Sequence, residues 1–345
     1  MLDRVEAAGA IPPFDGQASG AVEIKVPWCV CHEGSVAIVP AAACRIMCRV
    51  NDTETTGHNH PADRLLQAIE RCAAPVCVGL DPVLERLPLS VRAEVDLPEA
   101  NIEAISRFSV EVIEAISPHI PVVKFQSACY ERFGSAGIRV LHHAMDKAAS
   151  LGMQVILDAK RGDIGLTVEH YAASSRLGGS DWTTVSPYLG FNPLRPFLGS
   201  GSGAFVLVRT SNPDSDAVQS MMLADGRTVA QAMADQLAQA GEGDLGASGY
   251  SNLGAVVGAT KGADHVALRA RMPQQIFLVP GYGAQGAGLD DVLECFNPDG
   301  RGAIITSSRG VIYAGDVDDP SWSTAVADAA AAFAADIGQA VGLRS

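Results

Sequence analysis

The chain has 345 residues, nearly half of them apolar and about a fifth charged, enough to bury a sizeable core as one large domain or two small ones. Its net charge of −14 argues against a nucleic-acid or acidic-membrane surface, while leaving room for an anionic small ligand in a locally positive pocket. No apolar run approaches the ~20 residues that span a bilayer. No basic start leads into an apolar stretch as a secretory signal would, and eight scattered cysteines fit reduced thiols in a cytoplasmic compartment better than a disulfide framework.

Residues 1–58 lack sustained helical or strand periodicity. They contain Pro12-Pro13, a glycine-rich loop over 16–20 and a polar stretch over 51–60. Cys29, Cys31, Cys44 and Cys48 with His32, His58 and His60 invite a zinc reading, but the spacing matches none of the usual paired patterns. The segment is expected to be a poorly ordered extension, or an upstream region translated from an early start, with Met47 as an internal start.

The pattern turns regular near residue 59, where a catalytic domain over 59–345 is expected to begin. A short helix is predicted over 62–72, with Leu65, Leu66 and Ile69 on one side. Short apolar strands then alternate with helices. The strands are predicted at 76–80, 122–125, 153–157, 183–185, 204–208, 255–258, 276–279 and 303–305. Between them, helical stripes recur, such as Ile102, Ile105, Phe108, Val112 and Ile116, and Val326, Ala330, Phe333, Ile337 and Val341 near the end. Eight strand–helix units in this length fit a (β/α)8 TIM barrel. The alternative is an open doubly wound sheet, but no Gly-x-Gly-x-x-Gly follows the first strand, which ends in Gly79-Leu80-Asp81-Pro82. The longest connection, 214–253, is expected to be only partly helical.

In a parallel barrel the C-terminal strand ends converge on one mouth. Strand 1 brings Asp81 there, and strand 2 brings Lys124 inside an otherwise apolar run. Strand 3 brings Asp158, Lys160 and Asp163. Strand 5 ends in Arg209-Thr210-Ser211, strand 7 in a glycine-rich loop over 280–288, and strand 8 in Ser308-Arg309. The loops after strands 7 and 8 read as a phosphate site, with backbone N–H groups from the glycines and a bidentate clamp from Arg309. A lysine within a buried strand needs an acidic partner, and Asp158 on the neighbouring strand is the candidate. Lys124, Asp158, Lys160 and Asp163 would form an alternating row of charges. Two flanking carboxylates would keep Lys160 protonated and make it a placed proton donor. A purely architectural ion-pair network is the plain alternative.

The ordered set of motifs from about residue 62 onward resembles the orotidine 5'-phosphate decarboxylase family, in its longer bacterial form. It comprises Cys77 to Pro82, Val123 to Gln126, Asp158 to Gly165, Thr210 to Pro213, Val256 to Thr260, Pro280 to Gly286 and Ser308 to Gly310. The resemblance implies cofactor-free, metal-free decarboxylation of orotidine 5'-phosphate to uridine 5'-phosphate in pyrimidine synthesis. It implies that Lys160 protonates C6, with Lys124, Asp158 and Asp163 completing a charged tetrad. It implies a homodimer in which Asp163 and Thr167 reach the partner's pocket. Asp81 would bind a ribose hydroxyl, Ser211 the pyrimidine, and Gln285 and Arg309 the phosphate.

Two rivals stand beside it. A magnesium-dependent sugar-phosphate barrel with a similar third strand would place an acidic ligand at the end of strand 2, where this chain has Lys124. A silent nucleotide-binding barrel would be expected to have lost at least one of four costly charges.

Overall fold

The computed structural model describes residues 60–92, 97–199, 201–283 and 286–343. The extension expected over 1–58, with all its candidate zinc ligands except His60, and Gln285 lie outside these residues.

Eight parallel strands close into a barrel in sequence order. They are β1 (Val76–Leu80), β2 (Val122–Gln126), β3 (Gln154–Arg161), β4 (Trp182–Val185), β5 (Gly203–Arg209), β6 (Leu253–Val257), β7 (Phe277–Pro280) and β8 (Ala303–Ser307). Seven longer helices accompany them: α1 (Pro61–Cys72), α2 (Pro98–Ile116), α3 (Gly134–Ser150), α4 (Gly165–Leu177), α5 (Val229–Gly241), α6 (Gly262–Arg271) and α7 (Trp322–Ala340). The predicted (β/α)8 architecture is therefore present, with every strand within a few residues of its expected place. The long connection after β5 is partly helical, as expected, carrying the short helix Asp216–Gln219 and then α5. No helix among the described residues is long and apolar enough to cross a membrane.

The strands' two-residue alternation sorts their side chains into two apolar layers. Val76, Val78, Val123, Phe125, Val155 and Leu157 pack outward against the helices, among the stripe residues Phe108, Val112 and Ile116. Cys77, Val122, Ile156, Trp182, Phe205, Val256, Leu278 and Ile304 point the other way and fill the barrel. Helix α1 closes the N-terminal end by adding Leu65, Leu66 and Ile69 to this inner layer. Trp182 and Phe205 form its floor, with ring centroids 4.7 Å apart. Gly203 makes this floor possible, because a Cβ there would lie 2.4 Å from the Trp182 ring.

Candidate active site

Above that floor the same alternation builds a site. Toward the C-terminal ends of the strands the inward positions enter the upper half of the barrel. Around β1 to β4 and β8 those that face the cavity are polar: Asp81, Lys124, Gln126, Asp158, Lys160, Thr184, Thr306 and Ser308. On β5 to β7 they stay apolar: Leu207, Val256, Leu278 and Pro280. All twelve line one cavity of about 550 Å3, joined by Thr210, Ser211, Asn212, Gln219, Gly281, Tyr282 and Arg309. The cavity thus has a charged wall and an apolar wall.

Asp158 is the centre of the charged wall. Lys124 Nζ donates to its Oδ2 at 2.9 Å, and Lys160 Nζ donates to its Oδ1 at 2.6 Å. Thr184 Oγ1 donates to Oδ1 at 2.8 Å and Gln126 Nε2 to Oδ2 at 3.3 Å. Asp81 stands 3.7 Å from Lys124 on its other side. Lys124 and Asp158 are both buried, so each charge is tolerated because the others are there. Burial alone would push the Lys124 ammonium down, but Asp81 and Asp158 outweigh it and raise its pKa. Burial would likewise raise the Asp158 carboxyl, and the two lysines reverse this, holding it well below the usual carboxylate range.

Lys160 reaches this position through irregular backbone. Register shifts between Leu157 and Arg161 where β3 meets β4, and Lys160 has φ +47°, a left-handed conformation in which side chains other than glycine are strained by about 1–2 kcal/mol. Its backbone N–H is caught at 3.0 Å by Thr184 Oγ1, the same hydroxyl that donates to Asp158. Thr184 therefore stabilises both the bulge and the carboxylate. The Lys160 side chain is about half exposed, 47%. Among the described residues the carboxylate paired with Lys160 is that of Asp158; Asp163 accepts from the N–H of Ile164 at 2.9 Å and does not line the cavity.

The other predicted residues divide in the same way. Asp81, Ser211 and Arg309 line the cavity with Lys124, Asp158 and Lys160. Thr167 is exposed in the first turn of α4, outside the cavity, like Asp163. Ser308 approaches β1 closely, since a Cβ on Gly79 would lie 1.9 Å from its hydroxyl. Gln126, Thr184 and Thr306 were not singled out from sequence. Their signal was positional: each shares strand parity with an inward residue two positions before it.

Residues 74–319 match the family described as orotidine 5'-phosphate decarboxylase / HUMPS family. The chain is 40% identical over 287 residues to an orotidine 5'-phosphate decarboxylase of Rhodopirellula baltica, covering 77% of this chain and 94% of that protein. It is 41% identical over 290 residues to one of Streptomyces coelicolor, covering 81% and 97%. Among solved structures, an OMP decarboxylase of Leishmania donovani superposes with a TM-score of 0.65 at 28% identity, over 82% of this chain and 99% of that one. A family match across most of the barrel, with bacterial relatives at about 40% identity over nearly their full length, establishes that the chain belongs to the orotidine 5'-phosphate decarboxylase family, in its longer bacterial form.

Proposed function

We propose that the chain decarboxylates orotidine 5'-phosphate to uridine 5'-phosphate with no metal or cofactor, and that Lys160 delivers the proton to C6. The activity follows from family membership. The residue roles rest on one observation above all, the Lys124–Asp158–Lys160 row along the charged wall of the cavity.

The chemistry needs such a row. When the bond from C6 to the carboxylate breaks, its electron pair stays on C6, where no adjacent carbonyl spreads the charge. An ammonium already held at that carbon stabilises charge that develops only in the transition state. The Lys160 ammonium then gives its proton to C6 and becomes a neutral amine. Its partly exposed side chain has access to solvent for reprotonation. Asp158 and Lys124 hold the lysine in place before substrate arrives, so no reorganisation is needed at the moment of reaction. Leu207, Val256 and Leu278 on the facing wall exclude water and strengthen these interactions. The acceleration required lies near the top of the usual range, up to ~10^17-fold or ~23 kcal/mol, so positioning and electrostatics act together.

Ser211 faces the pyrimidine in this reading, Asp81 a ribose hydroxyl, and Arg309 with Gln285 the phosphate, whose binding energy drives the remote step. The enzyme works as a homodimer, with Asp163 and Thr167 of each chain completing the partner's site. This is supported by their placement outside their own cavity and by the exposed apolar residues between them in sequence. Ile164 is 59% exposed and Leu166 66%, as residues covered by a partner would be. Cys77, Cys129 and Cys295 are free thiols, as a reducing cytoplasm keeps them. The magnesium-dependent alternative requires an acid where Lys124 stands, and both oxygens of Asp158 are engaged by ammonium groups. Turnover in excess chelator, and its loss in Lys160→Ala, tests the proposal.

A further inference from the structure

Asp81, the residue that follows β1, brings a second carboxylate to the cavity beside Asp158, yet little in its own segment holds it there. Residue 82 is a proline, which has no N–H to offer, and the short turn of helix that follows, Leu84–Arg86, has no capping side chain. The backbone groups on either side of Pro82 are joined by a side chain 230 residues away. The Tyr313 hydroxyl accepts from the N–H of Val83 at 2.8 Å and donates to the carbonyl oxygen of Asp81 at 3.3 Å. One hydroxyl thus spends its proton and a lone pair on the two ends of a single turn.

The phenol ring is itself fixed. It stacks on Phe108 with centroids 5.6 Å apart and planes 14° off parallel, and the Arg86 guanidinium lies 4.3 Å from its centre. Burial pushes the hydroxyl's pKa up to about 12, so it remains a neutral donor at neutral pH. Tyr313 also ends the short helix Arg309–Ile312, whose first residue lines the cavity. The tyrosine does not line that cavity but stands behind the Asp81 turn, beside Glu85, Arg86 and Trp322.

We propose that Tyr313 is a positioning residue for Asp81: its hydroxyl fixes the turn from Asp81 to Val83, so that the Asp81 carboxylate meets Lys124 and the ribose, and it ties that turn to the element carrying Arg309. The inference rests on the ribose-contact reading of Asp81.

The test is a double-mutant cycle of Tyr313→Phe and Asp81→Ala, reading kcat, KM and, by calorimetry, affinity for uridine 5'-phosphate. Phenylalanine keeps the ring stack and removes only the two hydrogen bonds. Tyr313→Phe alone is expected to lower kcat/KM by about tenfold, the effect of one lost hydrogen bond or two weakened ones. In the Asp81→Ala background the same change should cost less than about twofold, in kcat/KM and in nucleotide affinity alike. An equal factor in both backgrounds would mean that the tyrosine acts only on general stability, and would overturn the inference, as would Tyr313→Phe behaving like the parent. If Asp81→Ala itself matches the parent in both readouts, the ribose role of Asp81 fails and the inference goes with it, a result distinct from additivity.

Discussion

Lys160 Nζ stands 2.6 Å from Asp158 Oδ1, although the two residues are only two apart on the same strand. Regular extended backbone puts such side chains on one side but directs them in parallel. The register shift in β3 and the positive φ of Lys160 bend the second side chain back onto the first. Strain of this kind persists only where its surroundings hold it, and Thr184 does so by bonding to both residues.

Lys160→Ala should therefore remove the proton donor and leave the binding groups in place. The expected loss in kcat is on the order of 10^4-fold or more, combining proton transfer with charge stabilisation. Uridine 5'-phosphate should still bind, measured by calorimetry. Turnover near the parent level would remove Lys160 from the role of donor.

Replacing Asp158 should damage the fold as well as the chemistry. Asp158→Asn leaves Lys124 buried with only Asp81, 3.7 Å away. Breaking a buried pair in this way costs about 3–5 kcal/mol, and Tm should fall accordingly. The pH dependence has a defined sign. The Asp158 pKa is lowered by folding, so its contribution to stability is full above the unfolded aspartate value of about 3.9 and is lost as pH falls below it. The Lys124 pKa is raised, so its contribution is full below about 10.4 and is lost at higher pH. Thermal melts across pH should show no change from this pair between about pH 5 and 9, and Asp158→Asn should remove part of the parent's acid limb. An unaltered Tm in Asp158→Asn at pH 7 would contradict the account of the pair.

Shared sites predict complementation. Asp163→Ala and Lys160→Ala, each inactive alone, should regain activity when mixed and allowed to exchange subunits. Each heterodimer restores one intact site, so random pairing returns about a quarter of parental sites. Absence of recovery, with heterodimers demonstrated, would place Asp163 outside the partner's pocket.

Arg309 lines the cavity at the first residue of its short helix, and its guanidinium suits a bidentate phosphate. Arg309→Ala should weaken uridine 5'-phosphate binding by about 10- to 100-fold, a charge-assisted bond of about 1.5–3 kcal/mol, and leave uridine binding unchanged. Equal losses for nucleotide and nucleoside would assign Arg309 to something other than the phosphate.

The barrel was legible because its strands and helices differ in period, and because a charged residue such as Lys124 stands out inside an otherwise apolar run. The site was less so. β3 runs on to Arg161, four residues past the end of its apolar run, because polar residues at a barrel mouth still pair with β4. Thr184 reads as an ordinary strand former, and only its inward parity beside Asp158 reveals its work. Asp163 was placed in the charged row by proximity in sequence. In the structure its carboxylate accepts from the Ile164 N–H and does not line the cavity of its own chain. Tyr313 escaped notice because its partners lie 230 residues away.

The most direct test of the account is the loss of orotidine 5'-phosphate absorbance with the full-length chain in excess chelator, beside Lys160→Ala under the same conditions. Rapid conversion to uridine 5'-phosphate by the parent, unaffected by chelator and abolished in the variant, is the predicted result. Turnover that stops with chelator, or survives loss of Lys160, would contradict a metal-free mechanism built on that lysine.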